Sequence, residues 1–372
     1  MGGTDMARNL RTGAVAAAVA PLLALALPVS ASGEPLRVCA SIPPQAHLIE
    51  RVGGDRVTVS VLIEPGQSPH TFEPTPGLVA EFSGSDVCFS IGLPFEDRVV
   101  EDLRAANPDM VVIDSSEGVE RLASREADGR DEVDGTLGAD RDHEHHDRGQ
   151  GHHDRGNSEG DRGNDEGGHG NDEGGHGNDE GGHEDDEGAH AHRGDIDPHI
   201  WLSPAAAITI AANIRDGLAD LDPARSDEYE RNFASLEDEL VALDSEIAAT
   251  LEPYQGESFY VFHAAYGYFA DAYGLEQVSI EAGGKEPGPR YLAAIISEAR
   301  SRGVKTLFVQ PQHPAPVAET AAREIGAEVV SIDPLARDYF TMMREIASRI
   351  AQALAKRTGG AVPGRDGEGV QQ

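Results

Sequence analysis

A single apolar seam divides this chain in two. Between Asp222-Pro223 and Pro253, the residues Tyr229, Phe233, Leu236, Leu240, Leu243, Ile247 and Leu251 recur at steps of 4, 3, 4, 3, 4 and 4. That spacing keeps side chains on one face of an α-helix. The Asp-Pro pair opens the pattern and Pro253 closes it, which predicts one uninterrupted helix over Pro223–Leu251. On either side, short β-branched runs alternate with amphipathic stretches. Before the helix the runs are Leu36–Ile42, Val57–Ile63, Asp86–Ile91 and Met110–Ile113, with helical stretches near Gln45–Val52, Pro76–Phe82 and Pro94–Ala105 between them. Ser203-Pro204 is an N-cap followed by proline at the first helical position, opening a helix to about Asp220. After the seam come strands Ser258–His263, Gln277–Ile280, Thr306–Gln310 and Glu328–Ile332, with helices His263–Tyr273, Arg290–Ser301, Ala315–Ile325 and Asp338–Lys356. Strands separated by helices give parallel sheets covered on both faces. The expected fold is α/β: two (β/α) lobes, each with a four-stranded, mainly parallel sheet, joined by one long rigid helix. The lobes are expected at 34–221 and 256–357, the joining helix at 222–252 and a disordered tail at 358–372.

The apolar pattern lapses between 115 and 193. This segment is rich in Gly, Asp, Glu, Asn and His, and carries three tandem copies of Gly-Asn-Asp-Glu-Gly-Gly-His, starting at Gly163, Gly170 and Gly177. A seven-residue period without apolar positions cannot build a coiled coil, and such a composition cannot bury enough surface to offset its ordering entropy. A disordered insertion in the first lobe is expected. From Arg141 to Asp195 there are 5 Arg against 17 Asp/Glu, a net −12, and ten of the 15 His of the chain fall between His143 and His192. The whole chain has a net charge of −36, far too acidic to grip nucleic acid or an anionic membrane. At the N-terminus, Arg8 and Arg11 precede an apolar run from Ala14 to Val29 that contains Pro21 and Pro28 and ends in small residues. Residues 1–31 read as a secretory signal peptide, too short and too broken for a membrane span. Val38 before Cys39, and the distance of Cys39 from the apolar run, argue against a lipoprotein acylation site. The mature chain is expected to be soluble and extracytoplasmic, in the periplasm. Cys39 and Cys88 both fall in expected strands; they pair in an oxidising compartment if those strands are neighbours, or remain separate buried thiols.

Four short stretches carry the chemistry. Pro69-His70-Thr71-Phe72-Glu73-Pro74, Asp197-Pro198-His199-Ile200-Trp201, Val261-Phe262-His263 and Ile332-Asp333-Pro334-Leu335 each place an imidazole or a carboxylate in a loop or just past a strand. Open α/β sheets bind ligands at the carboxyl ends of their strands. Three imidazoles and a carboxylate are a complete tetrahedral set for zinc. Singly, a loop His is most often structural and an Asp-Pro pair most often a turn; it is the combination that points to a metal. His70, His199, His263 and Asp333 are therefore the candidate metal ligands. Glu73 is either an outer acceptor behind His70 or a solvated residue, and His47 and His313 are not expected as ligands. A His-Glu-x-x-His helix, a serine nucleophile elbow and a phosphate loop are all missing from the sequence, which favours binding over catalysis.

With those residues in view, the chain resembles the ZnuA-like periplasmic zinc-binding receptors of ABC importers, from about Leu36 to Lys356 apart from the insertion. The matching stretches are Ser68 to Pro76, Asp197 to Pro204, Phe262 to Phe269 and Ile332 to Leu335. The resemblance implies two (β/α) lobes on a rigid helix, with His70 and His199 as first-lobe ligands and His263 and Asp333 as second-lobe ligands. It implies a zinc ion as cargo, a membrane permease as partner, a monomeric receptor and no enzyme activity. Manganese receptors of the family typically carry a carboxylate where this chain has His263. Some relatives carry an acidic residue where it has Pro69, which leaves Asp333 or water for the fourth place. Small lobe shifts are expected on a single helical spine, as is weaker binding as pH falls towards about 6 and below. The alternatives are a manganese or iron receptor on the same scaffold, an exported zinc hydrolase, and a zinc buffer acting through the insertion.

Overall fold

The computed structural model describes residues 34–124, 196–281, 287–313 and 315–358. The expected signal peptide, the insertion beyond residue 124 and nearly all of the tail lie outside the described residues. All that follows concerns Leu36 onward.

The first lobe is a parallel sheet of β1 (Leu36–Ala40), β2 (Val57–Val61), β3 (Val87–Ser90) and β4 (Val111–Asp114), in the order β2-β1-β3-β4. Its helices are α1 (Pro43–Gly53), α2 (Pro76–Phe82), α3 (Glu96–Ala106) and α4 (Pro204–Leu221). Proline starts three of the four at N1 or N2. Thr75 Oγ1 accepts from Leu78 N–H and Ser203 Oγ from Ala206 N–H, which fixes the first turns of α2 and α4. Across the joining helix α5 (Ser226–Leu251), the second lobe repeats the topology. Its strands β5 (Ser258–Val261), β6 (Glu276–Ser279), β7 (Thr306–Val309) and β8 (Glu328–Ser331) are all parallel, in the order β6-β5-β7-β8. Helices α6 (Gly267–Ala272), α7 (Pro289–Ser301), α8 (Ala315–Ile325) and α9 (Tyr339–Thr358) complete it.

The seven seam residues are the buried face of α5, which packs on α1 and α4 of the first lobe and on α9 of the second. One continuous core therefore runs from the first sheet through the spine into the second lobe. Polar ties add to it: Trp201 Nε1–H donates to Pro334 O at 2.8 Å, and Tyr339 O–H to Trp201 O at 2.8 Å. Arg337 reaches Glu50 at 2.6 Å. The α/β fold of two four-stranded parallel sheets on a long helix is as expected.

Three local readings change. The helix expected from His263 begins only at Gly267, because Ala265 N–H turns back to His263 O and Tyr266 N–H donates to Gln277 Oε1. The start of α5 moves from Pro223 to Ser226, behind a short 3-10 turn over Pro223–Arg225. Residues 115–124, expected within the insertion, are folded: Ser115 and Ser116 are buried, Val119 and Leu122 pack on the core, and Ala123 bridges Ile196. Composition hid them because two apolar side chains suffice to anchor ten residues once the backbone finds partners. Cys39 and Cys88 are register partners on neighbouring β1 and β3, as free buried thiols.

Candidate metal centre

Both strand orders reverse direction beside the central pair, β1/β3 in one lobe and β5/β7 in the other, and such a reversal opens a crevice at the carboxyl edge. In the second lobe every strand is followed by a donor. His263 lies two residues past β5, Glu281 two past β6, Asp333 two past β8, and His313 in the loop after β7. From the first lobe come His70, in the Pro-flanked loop after β2, and His199, at the entry to the 3-10 turn Ile200–Leu202 that leads into α4.

His70, His199 and His263 meet. Nε2 of His70 is 3.2 Å from Nε2 of His199 and 3.1 Å from Nε2 of His263. The ring centroids are 5.2, 4.7 and 5.3 Å apart around the triangle. Behind two of the rings stands a carboxylate. Asp197 Oδ1 faces His199 Nδ1 at 2.7 Å and also accepts the His199 backbone N–H at 2.9 Å. Glu281 Oε2 faces His263 Nδ1 at 2.7 Å. An ionised carboxylate only accepts, so the ring protons sit on Nδ1 and the Nε2 lone pairs of His199 and His263 point into the triangle. Facing lone pairs at this distance repel unless a cation lies among them. Tetrahedral zinc with Zn–N bonds of 2.0–2.1 Å spaces its nitrogens about 3.3 Å apart, so the triangle needs only a slight expansion to hold one.

Electrostatics favour the uncharged rings. His263 is 3 % exposed, and burial lowers its pKa against the opposing effect of the hydrogen bond it donates to Glu281. His70 touches solvent on one side, but its Nε2 end is enclosed by the other two imidazoles. Desolvation first, and then His199 and His263, bring its pKa down to about 2. For Glu281, burial pushes the carboxyl up, yet the hydrogen bonds from His263 and His313 outweigh it and bring it to about 2. Neutral nitrogens ringed by buried negative charge are what a divalent cation requires. Gly267 belongs to the same construction, since a Cβ there would run into Asp197 Oδ2.

Asp333, the expected fourth donor, stands apart. Its Oδ1 accepts from Gln312 Nε2 at 2.7 Å and from Leu335 N–H at 3.0 Å, the pattern of a carboxylate that caps its own turn. Among the described residues, the donor groups lying within 4.8 Å of one another are His70–His199–His263 and His263–Glu281–His313, and Asp333 is in neither. Glu73 is exposed on the wall of an adjoining cleft, so the solvated reading holds and the carboxylates behind the rings are Asp197 and Glu281. His313, not expected as a ligand, borders the site: it stacks on His263 at 4.6 Å and 22° and approaches Glu281. Two signals were present in the sequence. Asp197 stands two residues before His199, and Glu281 keeps the same two-residue offset from its strand as His263 and Asp333. The cavity among His70, His199, His263, His313, Trp201 and Gln312 is about 20 Å³, room for one water-sized sphere.

Glu281→Gln tests the outer carboxylates. Glutamine still accepts from Nδ1 but carries no charge, and loss of such a partner costs about 10- to 100-fold in metal affinity. Calorimetry on the variant should show at least the lower figure, and an unchanged Kd would remove Glu281 from the site.

Comparison with known proteins gives the family. The family described as zinc-uptake complex component A, periplasmic (ZnuA), matches residues 38–353. The zinc-binding protein AdcA of Streptococcus pyogenes is 34% identical over 166 residues, covering 41% of this chain and 32% of AdcA. The high-affinity zinc uptake system protein ZnuA of Brucella suis is 31% identical over 175 residues, covering 44% of this chain and 52% of that protein. The chain thus matches about a third to a half of the length of these relatives. The crystal structure of a ZnuA deletion mutant with zinc bound superposes with a TM-score of 0.66 at 31% identity, covering 89% of this chain and all of that one.

Proposed function

The chain belongs to the ZnuA family of periplasmic zinc-uptake components, and from that premise we propose that it is an extracytoplasmic receptor that captures zinc between its lobes and delivers it to the permease of an ABC importer. His70, His199 and His263 bind the ion through Nε2, and water takes the fourth place. Asp333, fixed by Gln312 and Leu335, acts from further out as charge. The observation that carries this reading is the meeting of three imidazoles, with His70 Nε2 3.2 and 3.1 Å from the Nε2 atoms of His199 and His263, both of these held as acceptors by buried carboxylates. The three rings come from both lobes, so the ion itself is a cross-link between them. With one spine and several polar ties, loading shifts loops more than it swings lobes. The receptor works as a monomer, and a separate ATPase drives the permease. The His-rich insertion gathers zinc weakly near the site without selecting it.

Nitrogen donors favour zinc over manganese, which prefers oxygen ligands and lies at the weak end of the divalent series. The space among the rings is about 20 Å³, enough for a single ion.

The test is calorimetry of zinc and manganese on the metal-free protein from pH 8 to pH 5. Zinc binds neutral imidazole, and protons compete only when pH nears the pKa of the rings. For His70 and His263 that pKa lies below the ordinary 6.5. The expected affinity is level from pH 8 to about 6 and declines only in more acid solution, a lower onset than the composition of the site implied. Manganese should bind about a thousandfold more weakly than zinc. Equal affinities for the two metals, or a steep loss of zinc between pH 7.5 and 6.5, count against the three-imidazole site.

A further inference from the structure

We propose that zinc has a second, alternative seat on His263, formed by its Nδ1 together with Glu281 and His313, through which the ion passes on its way to and from the three-imidazole position. The proposal rests on the zinc-receptor reading above and adds a path to it.

The observations begin with the second donor group, whose ligand atoms all lie within 4.8 Å of one another. Glu281 is its hub: Oε2 is 2.7 Å from His263 Nδ1 and Oε1 is 3.4 Å from His313 Nδ1. His313 lies nearly parallel to His263, with Phe262 edge-on at 6.0 Å, and its ring lines the same cavity as the three imidazoles. Exposure rises along the group, from 4% for the His263 side chain to 11% for Glu281 and 14% for His313, so the second seat has its own side towards solvent at His313, apart from the one at His70. Two imidazoles and a carboxylate are an ordinary zinc donor set. They come from the loops after β5, β6 and β7, at the crevice of the second sheet.

Alternation follows from the chemistry of imidazole. A neutral ring has one nitrogen lone pair. With zinc among the three rings, His263 binds through Nε2 and keeps its Nδ1 proton for Glu281. With zinc in the second seat, Nδ1 binds and the proton resides on Nε2, where it is donated to His70 Nε2, 3.1 Å away. No proton is gained or lost, and one His263 serves one ion at a time. An ion that leaves stepwise, exchanging nitrogens for a waiting carboxylate and imidazole, avoids breaking three bonds at once. The barrier falls equally in both directions.

The experiment follows zinc loading and release by stopped flow against a fluorescent chelator, with no more than one equivalent of zinc. It compares the full chain with His313→Ala and His313→Phe. The phenylalanine keeps a ring against His263 but has no donor, which separates packing from ligation. Both variants should load and release about tenfold more slowly, with Kd within about twofold of the parent. Unchanged rates in both variants overturn the proposal. So does a weaker Kd with faster release, the mark of a fixed ligand, and so do two zinc ions tightly bound per chain at once. Failure of the underlying reading looks different: the parent protein would bind no zinc tightly, or His199→Ala would leave tight binding intact.

Discussion

His263→Ala is expected to weaken zinc binding by about a hundredfold or more. A structural zinc site is worth about 10–16 kcal/mol, so one of a few ligands carries about 3 kcal/mol, or two powers of ten. His263 does more than contribute a nitrogen. It separates His70 from Glu281, accepting at one ring position and donating at the other. Its removal leaves a buried carboxylate that, among the described residues, faces His313 alone, which adds an electrostatic cost that a simple vacancy would not carry. Competition against a chelator of known affinity measures the loss. His47→Ala is the control, because His47 lies on α1 edge-on to Phe340 and away from the triangle. A Kd for His263→Ala within about threefold of the parent would show that the three rings do not act together.

The second large effect is on the scaffold. Leu240→Ala should lower the stability of the protein by about 3 kcal/mol, within the range for a fully buried leucine truncated to alanine. Leu240 is 0% exposed at the middle of the seam of α5, where the helix meets elements of both lobes. The cavity left there cannot collapse easily, because neighbours on two sides are held by separate sheets. Urea unfolding should show a lower midpoint with an unchanged slope, the sign of a stability change without a change in the surface exposed. Val241, one residue on, is 53% exposed, and Val241→Ala should stay within about 0.5 kcal/mol. Similar effects at the two positions would contradict the single-faced spine.

These two predictions draw on different layers of information. The Leu240 result was readable in the chain itself. Period 4-3-4-3 burial depends only on helix geometry, and the seven residues it named are the seven that α5 buries. The eight strands were likewise legible within a residue or two, because apolar runs bounded by prolines and glycines leave little freedom. The start of α6 was not. Apolar periodicity runs on through Ala264–Tyr266, but a distant side chain, Gln277, takes the Tyr266 N–H and holds these residues in a turn.

The site divides the same way. Rigid, proline-flanked loops marked His70 and His199, and a strand end marked His263, so these candidate donors, which the fold brings together, could be named from local sequence. Asp197 is as local as His199 itself, two residues before it, but the partners of His263 are not. Glu281 is 18 residues from His263 and His313 a further 32, and they join it only because β6 and β7 flank β5 in the sheet. Asp333 shows the converse: its local motif promised a ligand, while Gln312, from the neighbouring β7 loop, claims the carboxylate oxygen. Sequence by itself determined which residues have donor chemistry and which faces must be buried, since both depend on residue type and spacing along one chain. Strand order decided which donors come together, which are held by carboxylates and which cap a turn, because hydrogen bonds and coordination act over about 3 Å through space and take no account of separation along the backbone.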